Sequence, residues 1–208
     1  MKYLLLTCSL VIGCLQMIFA QKVVKKSIVN PAISLVQIDV NNCFQIQLET
    51  TDTDEILVEA FIDGEYTQDL ELTVKEEGST LVIDSDFSPT FVNPNDKLSA
   101  HKVVSIALKV LLPKYKNVNV FGASCNVTIA GKYENLKVSL NDGFCVLNEV
   151  SQNVEIVTQS GDISVQSLEA KIIANSIYGN IEENNIPMGD NHFLLSTTTG
   201  DIYFKKLE

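Results

Sequence analysis

Residues 118–208 carry a repeat that few folds can accommodate. A short turn recurs as S-C-N-V around Cys125, D-G-F-C at Gly143, S-G-D-I at Gly161, Y-G-N-I at Gly179 and T-G-D-I at Gly200, at steps of 18, 18, 18 and 21 residues. A fixed period near 20 marks an array of stacked units, each too small to bury its own hydrophobic face. The units run 118–135, 136–153, 154–171, 172–192 and 193–208.

Equivalent positions form columns. The first strand of each unit gives Val118, Leu136, Val154, Ile172 and Phe193, and two residues later Val120, Val138, Ile156, Ala174 and Leu195. After the turn come Val127, Cys145, Ile163, Ile181 and Ile202, then Ile129, Leu147, Val165, Glu183 and Phe204. Polar residues fill much of the space between, which is the period-2 signature of half-buried strands. Eighteen residues at about 3.3 Å each suit two short strands facing one another across a core about 10 Å thick. The expected fold is therefore all-β. It is a parallel β-helix or β-solenoid of stacked two-strand rungs of about 18 residues, with a β-rich N-terminal part continuing into it. Residues 21–208 make one domain.

The turn column is glycine except at Cys125, because glycine tolerates positive φ and close approach of a neighbouring rung. The next column is Asn126, Phe144, Asp162, Asn180 and Asp201. An aspartate row beside glycines suggests calcium. However, Asn and Asp also cap turns, and in sequence order Asn180 separates Asp162 from Asp201. The columns thus read as turn caps, with no metal and no cofactor expected. The three extra residues of the fourth unit fall at 187–192, as a loop.

The N-terminal half has strand-like runs at 35–40, 44–48, 56–61, 70–75, 81–84 and 103–113, outside the register of the repeat. Residues 76–79 (Glu-Glu-Gly-Ser) read as a hairpin turn, and 88–101 as an exposed loop.

Residues 1–20 read as a signal peptide: Lys2, an apolar run from Tyr3 to Ile18, and Ala20 before Gln21. The run is marginal for a membrane span, which needs about 20 apolar residues. Val11-Ile12-Gly13-Cys14 is similar to the bacterial lipoprotein box and offers lipidation at Cys14 as a rival to cleavage after Ala20. Either route exports the protein, to the medium, the periplasm or the outer surface, with no membrane span in the mature chain. The formal net charge is −11, and the chain has no arginine. An acidic chain lacking the bidentate phosphate reader is a poor nucleic-acid ligand. Cys43, Cys125 and Cys145 remain after the leader, an odd number without zinc spacing. The register sets Cys125 in the turn and Cys145 inward, so a disulfide between them is not expected.

The leader, the β-rich start, the strand Val-Ser-Ile-Ala-Leu-Lys-Val-Leu-Leu-Pro at 104–113 and the S-G-D-I and T-G-D-I turns together resemble the bacterial putative-adhesin family of unknown function. The likeness covers roughly residues 30–208, and the first two turns depart from the motif. It implies a β-helical, secreted or surface-associated, non-enzymatic protein and transfers no catalytic residue. The expected function is an exported interaction module, an adhesin, whose partner is a protein or glycan at the cell surface. The outward rows 158–160 and 197–199, with Tyr178 between them, nominate Thr158, Ser160, Tyr178 and Thr198, and the loop adds His192. The alternatives are a periplasmic or envelope scaffold and a polysaccharide-acting β-helix enzyme. The enzyme reading needs paired carboxylates or a basic residue in a groove. No such pair stands out, and the two histidines, His101 and His192, fall in loops.

Overall fold

Twelve strands follow one another without a helix. They are β1 (Lys22–Ile28), β2 (Leu35–Asp39), β3 (Cys43–Thr51), β4 (Ile56–Gly64), β5 (Leu70–Glu77), β6 (Thr80–Phe87), β7 (Val104–Pro113), β8 (Asn117–Thr158), β9 (Asp162–Ser167), β10 (Lys171–Ser176), β11 (His192–Thr197) and β12 (Ile202–Lys206). The computed structural model describes residues 21–39, 42–64, 67–91 and 104–207. The expected leader with Ala20 and Cys14, and His101, lie outside these. Of the described residues, 71% are in strands and none in a helix. The protein is all-β.

All twelve strands belong to one sheet, which turns back on itself through the 42-residue β8 into a nearly closed, barrel-like layer. One side carries β5, β6, β2, part of β8, β11 and β10. The other carries β1, β4, β7, β3, part of β8, β9 and β12. Contacts within β8 and with the corner that follows it keep a step of 18 residues, as between Asn135 and Asn117 and between Ser160 and Asp142.

The middle of the sheet is parallel and its N-terminal flank is not. β2 pairs in parallel with β8 and with β6, and β3 pairs in parallel with β8 and with β7. By contrast β1–β4, β4–β7 and β5–β6 are antiparallel. The β5–β6 pair is the hairpin read at 76–79: a two-residue turn can join only antiparallel strands, and β5 and β6 are joined across Gly78 and Ser79, with Gly78 at φ +63°. The antiparallel β1–β4 and β4–β7 pairs depart from a parallel solenoid. The N-terminal half shares the rows of the second half, since Val36 lies beside Val118 and Ile46 beside Val127. β1 itself was not foreseen.

Spatial order departs from chain order. Val154 pairs with Phe193, and Phe193 pairs with Ile172. On the other side Cys145 pairs with Ile163, Ile163 with Ile202, and Ile202 with Ile181. Residues 193–206 therefore lie between 154–167 and 171–181. The extra residues at 187–192 are the return path. Pro187 O and Asn191 O accept the amides of Ala170 and Lys171 (2.8 and 2.7 Å). The Asn191 side chain accepts from Gln152 N and donates to Glu169 O. The N-terminal end mirrors this, with β6 and β7 lying outside the earlier β2 and β3.

The core is continuous from Ile33 to Phe204 and holds Cys43, Cys125 and Cys145. All three are free thiols. Burial pushes Cys43 up to about 11 and Cys125 and Cys145 up to about 12. Cys125 is buried rather than displayed in the turn. Leu168, in line with the buried Val150 and Ile186, is 57% exposed.

The turn glycines form a close-packed stack in the spatial order 143, 161, 200, 179. A Cβ on Gly143 would lie 2.1 Å from Cys125 O, one on Gly200 2.2 Å from Gly161 O, and one on Gly179 2.0 Å from Gly200 O. Only Gly143 among the four has positive φ. For the others close approach, not backbone handedness, requires glycine. Gly200 is enclosed on both sides, so Gly200→Ala is expected to lose about 2 kcal/mol by forcing backbone apart. Chemical denaturation checks this, and wild-type stability in the variant would refute the stack.

Candidate interaction surface

The corner that follows β8, β10 and β11 is closed by hydroxyls. Thr158 Oγ1 donates to Gly161 O (2.6 Å). Thr197 Oγ1 accepts from Gly200 N (3.0 Å) and donates to Gly161 O (3.3 Å). Ser176 Oγ accepts from Gly179 N and donates to Gly200 O, both at 2.9 Å. Each hydroxyl satisfies backbone groups that the turn leaves without a strand partner. Thr158 and Thr197 are 3% and 1% exposed. Thr158 is thereby corrected from surface residue to corner lock, and only a Ser/Thr three residues before each glycine signalled this.

The carboxylates beside the glycines are also engaged. Asp162 Oδ1 accepts from Asp201 N (2.7 Å), and Asp201 Oδ1 accepts from Asn180 N (2.6 Å) and from Asn180 Nδ2 (3.3 Å). Each side chain caps the backbone of the neighbouring strand rather than its own turn. The order is Asp162, Asp201, Asn180, so Asn180 does not separate the two aspartates. Amide donors offset the proximity of like charges. The Asn180 amide, and then the Tyr203 hydroxyl at 3.1 Å, hold the Asp201 carboxyl below its ordinary value.

The remaining nominated residues fall in two places. Ser160, Thr198 and Tyr178 belong to one corner. Ser160 N bonds Asn141 O, Thr198 N bonds Gln159 O, and Tyr178 N bonds Thr198 O. Tyr178 is thus the outermost of the three, not between the other two, and it is 80% exposed. Ser160 spends its hydroxyl on Asn141 O and Asp142 Oδ1. His192 lies at the far end of β11, about 17 Å along the strand from that corner. It borders a shallow groove of about 290 Å3 on the outer side of β8, β11 and β10.

The groove has an apolar floor and a charged wall. Ile173 and Leu194, Cα partners on β10 and β11, are 59% and 49% exposed. Lys137 and Glu155 face each other at 2.7 Å, and Lys171 and His192 complete the rim. An exposed ion pair contributes little stability, about 0.2–1 kcal/mol; its role is to fix the wall. Toward the corner the polar Asn175–Ser196 pair interrupts the apolar floor, and exposed apolar side chains resume at Ile177, 61% exposed, and Tyr178.

No family model matches the sequence, and no curated protein matches it. Solved structures do. A putative cell adhesion protein from Clostridium sporogenes ATCC 15579 is 13% identical, with a TM-score of 0.65 over 90% of this chain and 100% of that one. A putative adhesin from Parabacteroides distasonis ATCC 8503 is also 13% identical, with a TM-score of 0.37 over 90% and 98%. One from Bacteroides fragilis NCTC 9343 is 12% identical, with a TM-score of 0.29 over 90% and 99%. The chain shares the fold of the first. The expected likeness to bacterial putative adhesins is met at the level of fold.

Two outcomes check the corner. Thr197→Val is expected to cost about 1–3 kcal/mol, because a buried amide and carbonyl lose their partner, whereas Thr198→Val stays within about 0.5 kcal/mol. Equal losses in a melt would refute the lock. The lowered Asp201 value means that its contribution is complete above the ordinary carboxyl value and disappears as pH falls through the folded one. Stability measured from neutral pH down to about pH 2 is thus expected to fall less in Asp201→Ala than in the wild-type protein. Parallel curves would refute the cap.

Proposed function

We propose that the protein is an exported, non-enzymatic interaction module, adhesin-like in use, built as a β-solenoid of stacked rungs. Its contact surface is the groove and apolar strip at the C-terminal end of the sheet. One observation carries the reading: Leu194, Ile173, Ile177 and Tyr178 lie exposed along the two outermost strands and the following corner. Clustered exposed apolar side chains bordered by polar groups are a mark of an association site. The partner is a cell-surface protein or glycan. Tyr178 presents a broad ring and a hydroxyl, a combination favoured at such contacts. His192 and Ser160 border the strip at its two ends.

Catalysis is less favoured by the same geometry. The carboxylates of the corner are occupied by backbone amides, and Glu155 is held by Lys137. Among the described residues no helix is long and apolar enough to cross a membrane. The likeness to a protein named for cell adhesion supports the reading through fold, and fold by itself does not assign function.

The test is binding of the purified protein to host cells, matrix proteins and glycan arrays, comparing wild type with Ile173→Ser/Tyr178→Ser. Both side chains are exposed, so the variant keeps its stability. Loss of about tenfold or more in affinity is expected, as for an anchor residue at an interface. Equal binding by both proteins, or none by either, would overturn the assignment.

A further inference from the structure

The two ends of the sheet look like a core cut open. Partly buried apolar residues packed against the core gather at the extremities: Val24 and Ile28 on β1, Val74 on β5, and Ile172 and Ala174 on β10. Among the described residues β1, β5 and β10 each pair on one side only. On the β1 side the far end is the segment 181–184, joined to β12 by the Ile181–Ile202 bridge and by Glu182 N to Ile202 O. Stacked architectures normally finish in polar caps. Here the rows of the sheet run to both ends.

Following three adjacent rows shows what each end displays. Val24 heads the row Ala60, Leu108, Ile46, Val127. The row continues through Cys145, Ile163 and Ile202 and ends at Ile181, 42% exposed. Lys25 heads the outward row beside it, which ends past Tyr203 at Glu182. Lys26 heads the next core-facing row. Its partner Val58 is fully buried, and the row passes through Val110, Leu48 and Ile129. Beyond Leu147, Val165 and Phe204 no further strand is paired, but the register of the isolated Ile181–Ile202 bridge, carried on two residues, brings the exposed Glu183 to the end of that row. The ends therefore match in their core-facing rows, Val24 with Ile181 and Lys26 with Glu183; in the row between, Lys25 already pairs with Glu59 at 2.8 Å within the chain.

A charge set in a core-facing row of an edge strand deters indiscriminate pairing. Lys22, also in a core-facing row of β1, donates to Thr67 O and Leu70 O, whereas Lys26 and Glu183 close one row and are opposite in sign. We propose that the protein associates head to tail with further copies of itself, β1 of one copy lying along residues 181–184 of the next. Each row then continues across the join, apolar on apolar and Lys on Glu. Head-to-head contact gathers the lysines of both β1 strands at one join, and tail-to-tail contact gathers Glu182 and Glu183 of both copies, so both are disfavoured. Because the two patches differ, the contact is heterologous and does not close by itself; it builds a line of copies. β5 stands one strand beyond β6, whereas β1 stands two beyond β7. The opposite side of the join thus keeps a gap about one strand wide, near 4.8 Å. That gap leaves β10 and its apolar strip open, so the association is independent of what the strip binds.

Sedimentation velocity of the purified protein at low salt, across a concentration series, tests this. The wild-type mass is expected to rise with concentration and to fall back when salt is added. Lys26→Glu and Glu183→Lys are each expected to associate about tenfold or more weakly, as like charges meet at the join. Mixing the two variants, or combining both changes in one chain, restores association, because every join again holds one charge of each sign. The mixture also excludes misfolding as the cause, since unfolded variants would not rescue one another. A wild-type protein monomeric at every concentration, single variants that associate as the wild type does, or a mixture that stays monomeric would each overturn the proposal.

Discussion

The rest of the structure depends on how closely the backbones approach at the glycine corner. Parallel strands stacked about 4.8 Å apart leave little room where the chain changes direction. At Gly200 a single Cβ would sit 2.2 Å from the carbonyl oxygen of Gly161, and one at Gly179 2.0 Å from that of Gly200. With the Cβ absent, backbone can stack directly on backbone. The hydroxyls of Thr158, Thr197 and Ser176 then bond the glycine carbonyls, and Thr197 and Ser176 also take the glycine amides of their own turns. Once the corner is set, Ile163, Ile202 and Ile181 fall into one row on one side and Val154, Phe193 and Ile172 on the other.

Placing the last repeat inside rather than at the end has an energetic consequence. β11 and β12 gain partners on both sides, so the C-terminal segment is tied down where termini usually fray. The strand left at the edge is β10, whose Ile173 stays exposed beside Leu194. Interior strands are completed only when the final residues arrive, and the proposed contact surface forms at the same step. The extra length at 187–192 is consumed in this crossing. Its Asn191 ties down two other segments, one through Gln152 and one through Glu169 and Lys171.

Much of this was legible in the sequence, and the exceptions share a cause. The apolar columns could be read because strand alternation and the recurring turn act within each unit. Strand order could not be read, because each unit presents equivalent apolar residues to any neighbour; steps of 18 and 21 residues set a register without choosing a sequence of stacking. Thr158 and Thr197 continue the inward columns of Val154 and Ile156 and of Phe193 and Leu195, so strand alternation carried to its end places them inside; their polar side chains beside a turn suggested the opposite. The roles of Asp162 and Asp201 changed because what a carboxylate caps depends on which strand arrives next to it. β1 escaped notice because Lys22, Lys25 and Lys26 disguise a strand whose Val24 and Ile28 pack on the core.

The most direct test of the account is the spatial order of the last three repeats, read by backbone proton contacts in NMR spectra of the labelled protein. The predicted contacts link residues 154–158 with 193–197, and 193–197 with 172–176, with none between 154–158 and 172–176. Contacts joining 154–158 directly to 172–176 would mean that the repeats stack in chain order, and would contradict the glycine corner as described.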